Sequence, residues 1–226
     1  MTTFFYTVNQ ILMNEKLLIG LSGAFAGWIL AQITELISKW YFKRNLLKCL
    51  LEELSDLQSE LDRTLLFYSR QLQIYALKGI EYSVPALLSN YIFENHYKDA
   101  VLSLNRQQRI SYQLIHTLIK SINSDILEHE KLSKDIKEIT EQNGKEFGSK
   151  VICQFKNIAV ALWHIKYHLN KPKLPSLLTY GIEHEQYLQY LESVDKKIAE
   201  LIEAAQKLDK NEFERIYNPE SFVRNF

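Results

Sequence analysis

The sequence predicts an all-α fold in which one N-terminal transmembrane helix precedes a bundle of long helices. Three observations carry that expectation. An apolar run, "LLIGLSGAFAGWILAQITELIS", fills Leu17 to Ser38. Beyond it, apolar side chains recur at helical spacing almost to the C-terminus, and no stretch alternates with the period of two that marks a strand. The chain of 226 residues holds only 7 glycines and 4 prolines, while Leu, Ile, Lys, Glu and Gln are abundant, and most of these lose little freedom on entering a helix. Four segments follow: residues 1–16, short and extracytoplasmic or interfacial; 17–38, the membrane helix; 39–208, a cytoplasmic helical bundle; and 209–226, an aromatic tail.

In the first segment, Phe4, Phe5, Val8, Ile11 and Leu12 fall on one side of a short helix, the pattern of an element lying on the outer leaflet; an apolar unstructured tail is the alternative. The second segment runs about 21 residues from Leu17 to Ile37, enough for a roughly 30 Å hydrocarbon core at 1.5 Å per residue. Gln32, Thr34 and Glu35 interrupt only its last turns, where a charge is cheaper than at the bilayer centre. A cleavable signal wants its positive charge before the apolar run. Here Lys16 alone precedes it, whereas Lys39, Lys43, Arg44 and Lys48 follow. That asymmetry keeps the C-terminal body in the cytoplasm, at a cell inner membrane crossed once. Trp40, Tyr41 and Phe42 fall where an interfacial aromatic belt belongs. Gly23, Gly27 and Ala31 recur every four residues, as do Gly20 and Ala24, so one stripe of small side chains lets a second helix approach closely and predicts self-association.

After Lys39 the helical pattern continues. Leu47, Leu54, Leu61, Tyr68 and Tyr75 repeat every seven residues, with Leu50, Leu57 and Thr64 between them and Leu51, Leu65 and Leu72 widening the stripe. A seam of this kind faces a bundle core or other copies of the chain in a coiled coil. Lys78-Gly79 is the stop, with the glycine suited to a left-handed helix end. An unbroken helix from Leu17 to Lys78 is a rod of roughly 90 Å. A second helix opens at "YSVPALLSNYIFENHY", with Ser83 as cap and Pro85 in the first turn. A third runs from about Lys98 to Gln142, with a weak point near Asn105 and with Ile115, Leu118, Ile122, Ile126, Leu132, Ile136 and Ile139 on one face; Asn143-Gly144 ends it. The fourth carries Val151, Phe155, Ile158, Leu162, Ile165 and Leu169 and closes at Asn170 and Pro172. "KPKLPSLLTYG" is a loop. The last helix spans about Ile182 to Leu208, with Leu188, Leu191, Val194, Ile198, Leu201, Ala205 and Leu208 as its stripe. Five antiparallel-capable helices of this length make a bundle.

The chemistry-bearing residues are few. There is no GxxxxGK[ST] or GxGxxG and no strand to carry either. Net charge is zero overall, and after Ser38 basic and acidic side chains number 26 and 25, which argues against a domain held to nucleic acid by net charge. Cys49 and Cys153 lie far apart in helical patterns and read as free thiols. His164 and His168 share a helix face, yet two imidazoles are not a metal site and no acidic neighbours stand on that helix. The expectation is no metal and no cofactor.

One stretch, "NRQQRISYQLIH", places Arg109 six intervening residues before His116. It resembles the HEPN ribonucleases, all-α proteins whose arginine and histidine meet their equivalents across a dimer. The resemblance implies a histidine that helps move the 2′-hydroxyl proton and an arginine that holds the scissile phosphate, with Asn105 and Arg106 as neighbouring polar groups. Ile110 departs from the polar residue usual after the arginine, and two helical turns separate Arg109 from His116 by about 10 Å.

The layout as a whole resembles membrane-anchored accessory proteins and effectors of bacterial antiviral systems. It implies a protein that is more a non-enzymatic assembly than an enzyme, self-associating beside membrane lipid and perturbing or gating it. A membrane-tethered HEPN-like ribonuclease is one alternative, and a scaffold or adaptor whose bundle and aromatic tail bind a cytoplasmic protein partner is the other.

Overall fold

The computed structural model describes residues 2–79, 83–135, 141–172, 174 and 181–208, with side chains from residue 18 onward except those of 133, 135 and 141. All of it is helix or connection: α1 (Thr2–Ala76), α2 (Tyr91–Ala100), a 3-10 turn (Val101–Ser103), α3 (Arg106–Asp135), α4 (Glu141–Asn170) and α5 (Ile182–Gln206). The chain divides into two units, Met1–Lys48 and Cys49–Phe226. The expectations for the 171–181 loop, for Ile136 and Ile139, and for the aromatic tail fall largely or wholly outside the described residues.

In the first unit α1 begins at Thr2 and continues through the apolar run. Among the described residues α1 is the one helix long and apolar enough to cross a membrane, by length and composition, and none of its apolar window is buried. Leu18, Leu21, Phe25, Trp28 and Leu30 expose 60–66% of their surface. Three of its polar groups are satisfied along the helix itself. Ser22 Oγ donates to Ile19 O and Thr34 Oγ1 to Leu30 O, at 2.9 and 2.8 Å, and Glu35 pairs with Lys39 at 2.5 Å.

In the second unit the leucine seam becomes core. Leu50, Leu54, Leu57, Leu61, Tyr68 and Leu72 have no exposed surface. They pack in a bundle with Ile115, Ile119 and Ile122 of α3, Val151, Phe155 and Ile158 of α4, and Val194, Ile198 and Leu201 of α5, all buried. Leu188, expected in the α5 stripe, is instead exposed, because it lies in the helix's first two turns, ahead of its first buried residue, Val194.

Cross-helix pairs fix the directions. Tyr112 meets His168 and His129 meets Phe147, so α3 and α4 are antiparallel; Lys156–Asp195 and Lys171–Glu183 make α4 and α5 antiparallel. Glu53–His116 and Tyr68–His129 make α1 and α3 parallel. Phe93 meets His116 and Tyr97 meets Tyr112, so α2 runs antiparallel to α3 and successive helices alternate in direction. With α1 and α3 parallel, the chain has to travel back along α1 before α3 begins.

That requirement explains the largest departure from the sequence reading. Residues 83–90 are not the first turns of a helix; they form an extended strap, and α2 starts only at Tyr91. Gln71 Nε2 donates to Ser83 O at 3.0 Å, while Ile92 N, nine residues on, donates to Glu53 at 2.6 Å. The eighteen residues of α1 between Gln71 and Glu53 rise about 27 Å at 1.5 Å each. Nine residues cover that span only if extended, at about 3.1 Å each. Pro85, read as a first-turn residue, sits equally well in such a conformation.

Three boundaries shift for local reasons. α1 ends in a Schellman motif: Gly79 N donates to Ile74 O at 2.8 Å and Lys78 N to Tyr75 O at 2.9 Å. The left-handed residue is Lys78, at φ 60°, not Gly79. The third helical pattern breaks at 101–105, and α3 restarts with a reciprocal capping box in which Gln108 N donates to Asn105 Oδ1 and Asn105 N to Gln108 Oε1, at 2.8 and 2.9 Å. Asn143-Gly144 lies inside the first turn of α4 rather than ending α3, where poor helix formers cost least because first-turn N–H groups lack helical partners anyway.

Two stability measurements by denaturation of the full chain in detergent follow. Lys78→Gly removes a left-handed non-glycine residue and should stabilise by about 0.5–1 kcal/mol, the steric cost less the added chain entropy. A side chain on Gly148 would meet the Tyr75 ring at 2.2 Å. Gly148→Ala should therefore destabilise by about 1–3 kcal/mol, and pairing it with Tyr75→Leu should give back most of that loss.

Candidate functional site

Of the polar residues that sequence pattern singled out, His116 lies where the strap ends and α2 begins, beside Glu53 and Asn90. Asn90 is the N-cap of α2, yet its side chain makes no cap bond. A carboxylate from α1 takes that role: Glu53 Oε1 accepts Ile92 N at 2.6 Å and Glu53 Oε2 accepts Phe93 N at 3.0 Å. Two of the first-turn N–H groups that a helix leaves unpaired are thus met by a negative charge at the positive end of the helix dipole. Glu53 is only 6% exposed, and burial pushes its carboxyl above the usual carboxylate range despite the two N–H donors.

His116, from α3, closes the other side. Its ring stacks on Phe93 with centroids 3.6 Å apart and lies parallel to Tyr112 at 6.3 Å. Asn90 Nδ2 donates to His116 Nδ1 at 3.4 Å, which assigns the ring proton to Nε2, facing Glu53 Oε2 at 4.0 Å. The imidazole is 4% exposed, and burial lowers its pKa to about 3. It is neutral at physiological pH.

Arg109 works at the opposite end of α2. Its Nη1 donates to Leu104 O at 2.8 Å and to Val101 O at 3.4 Å, neutralising carbonyls where α2 and the 3-10 turn run out. Tyr97 Oη donates to Arg109 O at 3.5 Å. Arg109 and His116 therefore hold the two ends of one short element and share no partner. Asn105 is the α3 N-cap and Arg106 its first residue. His116 is a core residue.

Elsewhere the described residues hold no group of three or more His, Cys, Asp or Glu able to bind a metal. His168 is buried against Tyr112, and His164 is buried near Tyr187. A groove of about 340 Å³ between α4 and α5 is lined by Trp163, Tyr167 and Tyr190 together with Lys166 and Lys171. Its two cations already face carboxylates: Lys166 pairs with Asp62 at 3.5 Å and Lys171 with Glu183 at 3.2 Å. A Cβ placed on Gly20, Gly23 or Gly27 would meet nothing within 4 Å, so their stripe with Ala24 and Ala31 is open to a neighbour.

Sequence pattern missed Glu53 and Asn90. One signal for Glu53 was present: it stands three residues after Leu50 and four before Leu57, inside the apolar seam, where a carboxylate must find donors. Nothing local marks Asn90, whose role depends on a ring 26 residues away.

The histidines give a pH signature. His116, His129 and His168 are held by burial at about 3, 4 and 4. The unfolded chain binds protons below about pH 6.5 that the native chain refuses, so stability is full above that value and falls toward pH 4. Glu53 acts in the opposite sense: burial makes its carboxyl take up a proton at a higher pH in the native chain than in the unfolded one, which offsets part of the loss. Between pH 7 and 5 the bundle should lose a few kcal/mol, at most about 2 for each histidine. His116→Phe, which retains the stack on Phe93, should flatten that slope by roughly a third; an unchanged slope in chemical denaturation at the two pH values would show that His116 does not titrate as a buried neutral ring.

Comparison of the chain with known protein families, curated proteins and solved structures finds no match.

Proposed function

We propose that this is a single-pass membrane protein whose α1 anchors a cytoplasmic helical body, self-associates in the bilayer, and serves as a non-enzymatic effector or accessory that perturbs or gates the membrane. The observation that carries the reading is the change in α1: residues 18–45 are exposed on every side, and from Leu50 a single stripe is fully buried. An apolar helix surface exposed all round suits lipid, and a stripe suits a bundle. The aromatic cluster supports the same placement, with Trp40 and Tyr41 edge to face at 5.3 Å and Arg44 over the Trp40 ring at 5.5 Å, where amphipathic rings and cations favour headgroups. Lys39, Lys43, Arg44 and Lys48 support the cytoplasmic side for the body. The setting, bacterial antiviral defence, rests on the likeness of layout.

Two features narrow how copies meet. The leucine seam is occupied within one chain, which leaves the Gly20, Gly23, Ala24, Gly27 and Ala31 stripe as the surface for association. Against a ribonuclease, His116 is sealed by Phe93, Tyr112, Asn90 and Glu53, and Arg109 is committed to backbone carbonyls. An adaptor shares the anchor and differs only in needing no assembly.

Gly23→Ile with Gly27→Ile separates these readings. A Cβ added at either position meets nothing within 4 Å, so the protomer should remain folded while crosslinking in membranes falls several-fold. Unchanged crosslinking removes the stripe from the account, and lost crosslinking with intact biological activity favours the adaptor.

A further inference from the structure

We infer that the helical body has a lipid-facing end, where Leu102 in the turn before α3, Leu174 after α4 and Ile182 at the start of α5 enter the headgroup region of the membrane that α1 crosses. This rests on the anchoring proposed above and not on self-association; it names a second, peripheral contact with the same bilayer.

Contacts inside the second unit bring these three side chains to one end of it. Gln71 donates to Ser83 O, Asn123 clasps Leu88 by accepting its N–H at 2.8 Å and donating to its carbonyl at 2.9 Å, Glu60 Oε2 accepts Ser89 N at 3.3 Å, and Glu53 accepts Ile92 N. The strap therefore runs along α1 toward Cys49, and α2, antiparallel to α3, carries the chain on in that direction to Val101–Ser103. On α3, Tyr112 stands four residues nearer that end than His116 and meets His168. So α4 also finishes there, at Asn170, and the Lys171–Glu183 pair brings the start of α5 to the same place.

The two ends differ in what they expose. Leu102, Ile182 and Leu174 are 87%, 71% and 45% exposed. At the opposite end, residues 76–79, 130–134, 142–146 and 203–208 expose no large apolar side chain among those described. The exposed tips are held in place: Arg109 Nη1 donates to Val101 O and Leu104 O on either side of Leu102, Leu174 N donates to Lys171 O at 3.0 Å, and Glu185 N donates to Gly181 O at 3.1 Å beside Ile182. Lys98 and Arg106, four residues before and after Leu102, are exposed with it, and cations beside aliphatic side chains suit phosphates above acyl chains.

The length of chain between span and body makes lipid the occupant. Seven residues separate Phe42, the last of the interfacial aromatics, from Cys49, the first residue of the body. They cover about 10 Å as helix and at most about 25 Å as extended chain, so the Cys49 end stays within that distance of the headgroups at any angle of the body. Three aliphatic side chains hold a free protein to lipid only weakly, but on so short a tether the contact is intramolecular and needs little affinity.

The test uses the full chain with Cys49→Ser and Cys153→Ser, spin-labelled singly through Leu102→Cys, Ile182→Cys, Leu127→Cys or Gly27→Cys in phosphatidylcholine vesicles. Leu127, exposed on α3 and eleven residues beyond His116, is the aqueous reference. Labels at 102 and 182 should be several-fold less accessible to a water-soluble nickel complex than the label at 127, with oxygen access at least as high. Equal nickel access at all three overturns the inference, and so does low access to both reagents at 102 and 182, because protein then covers them. Gly27→Cys separates the two readings: a lipid-exposed label there with aqueous labels at 102 and 182 sinks this contact alone, and an aqueous label at 27 sinks the anchoring reading with it.

Discussion

The structure depends on one constraint: a single unbroken helix, α1, has to satisfy two different surroundings along its length. Up to residue 45 its described side chains are exposed all round, and Ser22, Thr34 and Glu35 are paired along the helix. From Leu50 it narrows to a stripe of leucines and Tyr68 without exposed surface. Each such leucine contributes on the order of 1.5–3 kcal/mol when fully buried. The body is arranged about that stripe, and a register slip of one residue would turn its leucines away from α3 and α4.

A second consequence follows from direction. Because α3 runs parallel to α1, the chain must return along α1, and it does so extended, exposing backbone groups that no helix or sheet can pair. Buried backbone without partners is costly. Glu53, Glu60, Gln71 and Asn123 meet that need, and the price of placing Glu53 inside is the raised pKa of a desolvated carboxylate. His116 is best understood within this arrangement: it shields Glu53 from water and gives Phe93 a ring to stack on. The same chemistry that makes an Arg109 and His116 pair resemble a nuclease motif, a cation and an imidazole on one helix, here secures the two ends of α2.

Much of this was legible in the sequence because it depends on local spacing. The apolar window, the seam at Leu50, Leu54, Leu57 and Leu61, the α4 stripe from Val151 to Ile165 and the end of α1 near Lys78 all follow from periodicity or turn chemistry within a few residues. The parts that were not legible depend on distant partners. Residues 83–90 carry a plausible helix start in Ser83 and Pro85, and nothing within the segment reveals that Asn123 will clasp Leu88. Asn143-Gly144 has the chemistry of a stop and serves as a start, since a first turn tolerates what an interior does not. The site lay half in view: His116 was visible for a reason the geometry does not favour, while Glu53 was hidden among leucines whose spacing placed it inside.

The most direct test of the account is the depth of α1 in a bilayer. Spin labels placed singly at positions from 18 to 45 in the full chain, reconstituted in lipid, report relative access to oxygen and to a water-soluble nickel complex. The account predicts the greatest depth near Gly27 and Trp28, a gradual rise to the interface at Trp40 to Phe42, and aqueous access on the side of Lys43 and Arg44. Uniform aqueous access from 18 to 45, or a depth that alternates with the helical period as for a helix lying on the surface, would contradict it.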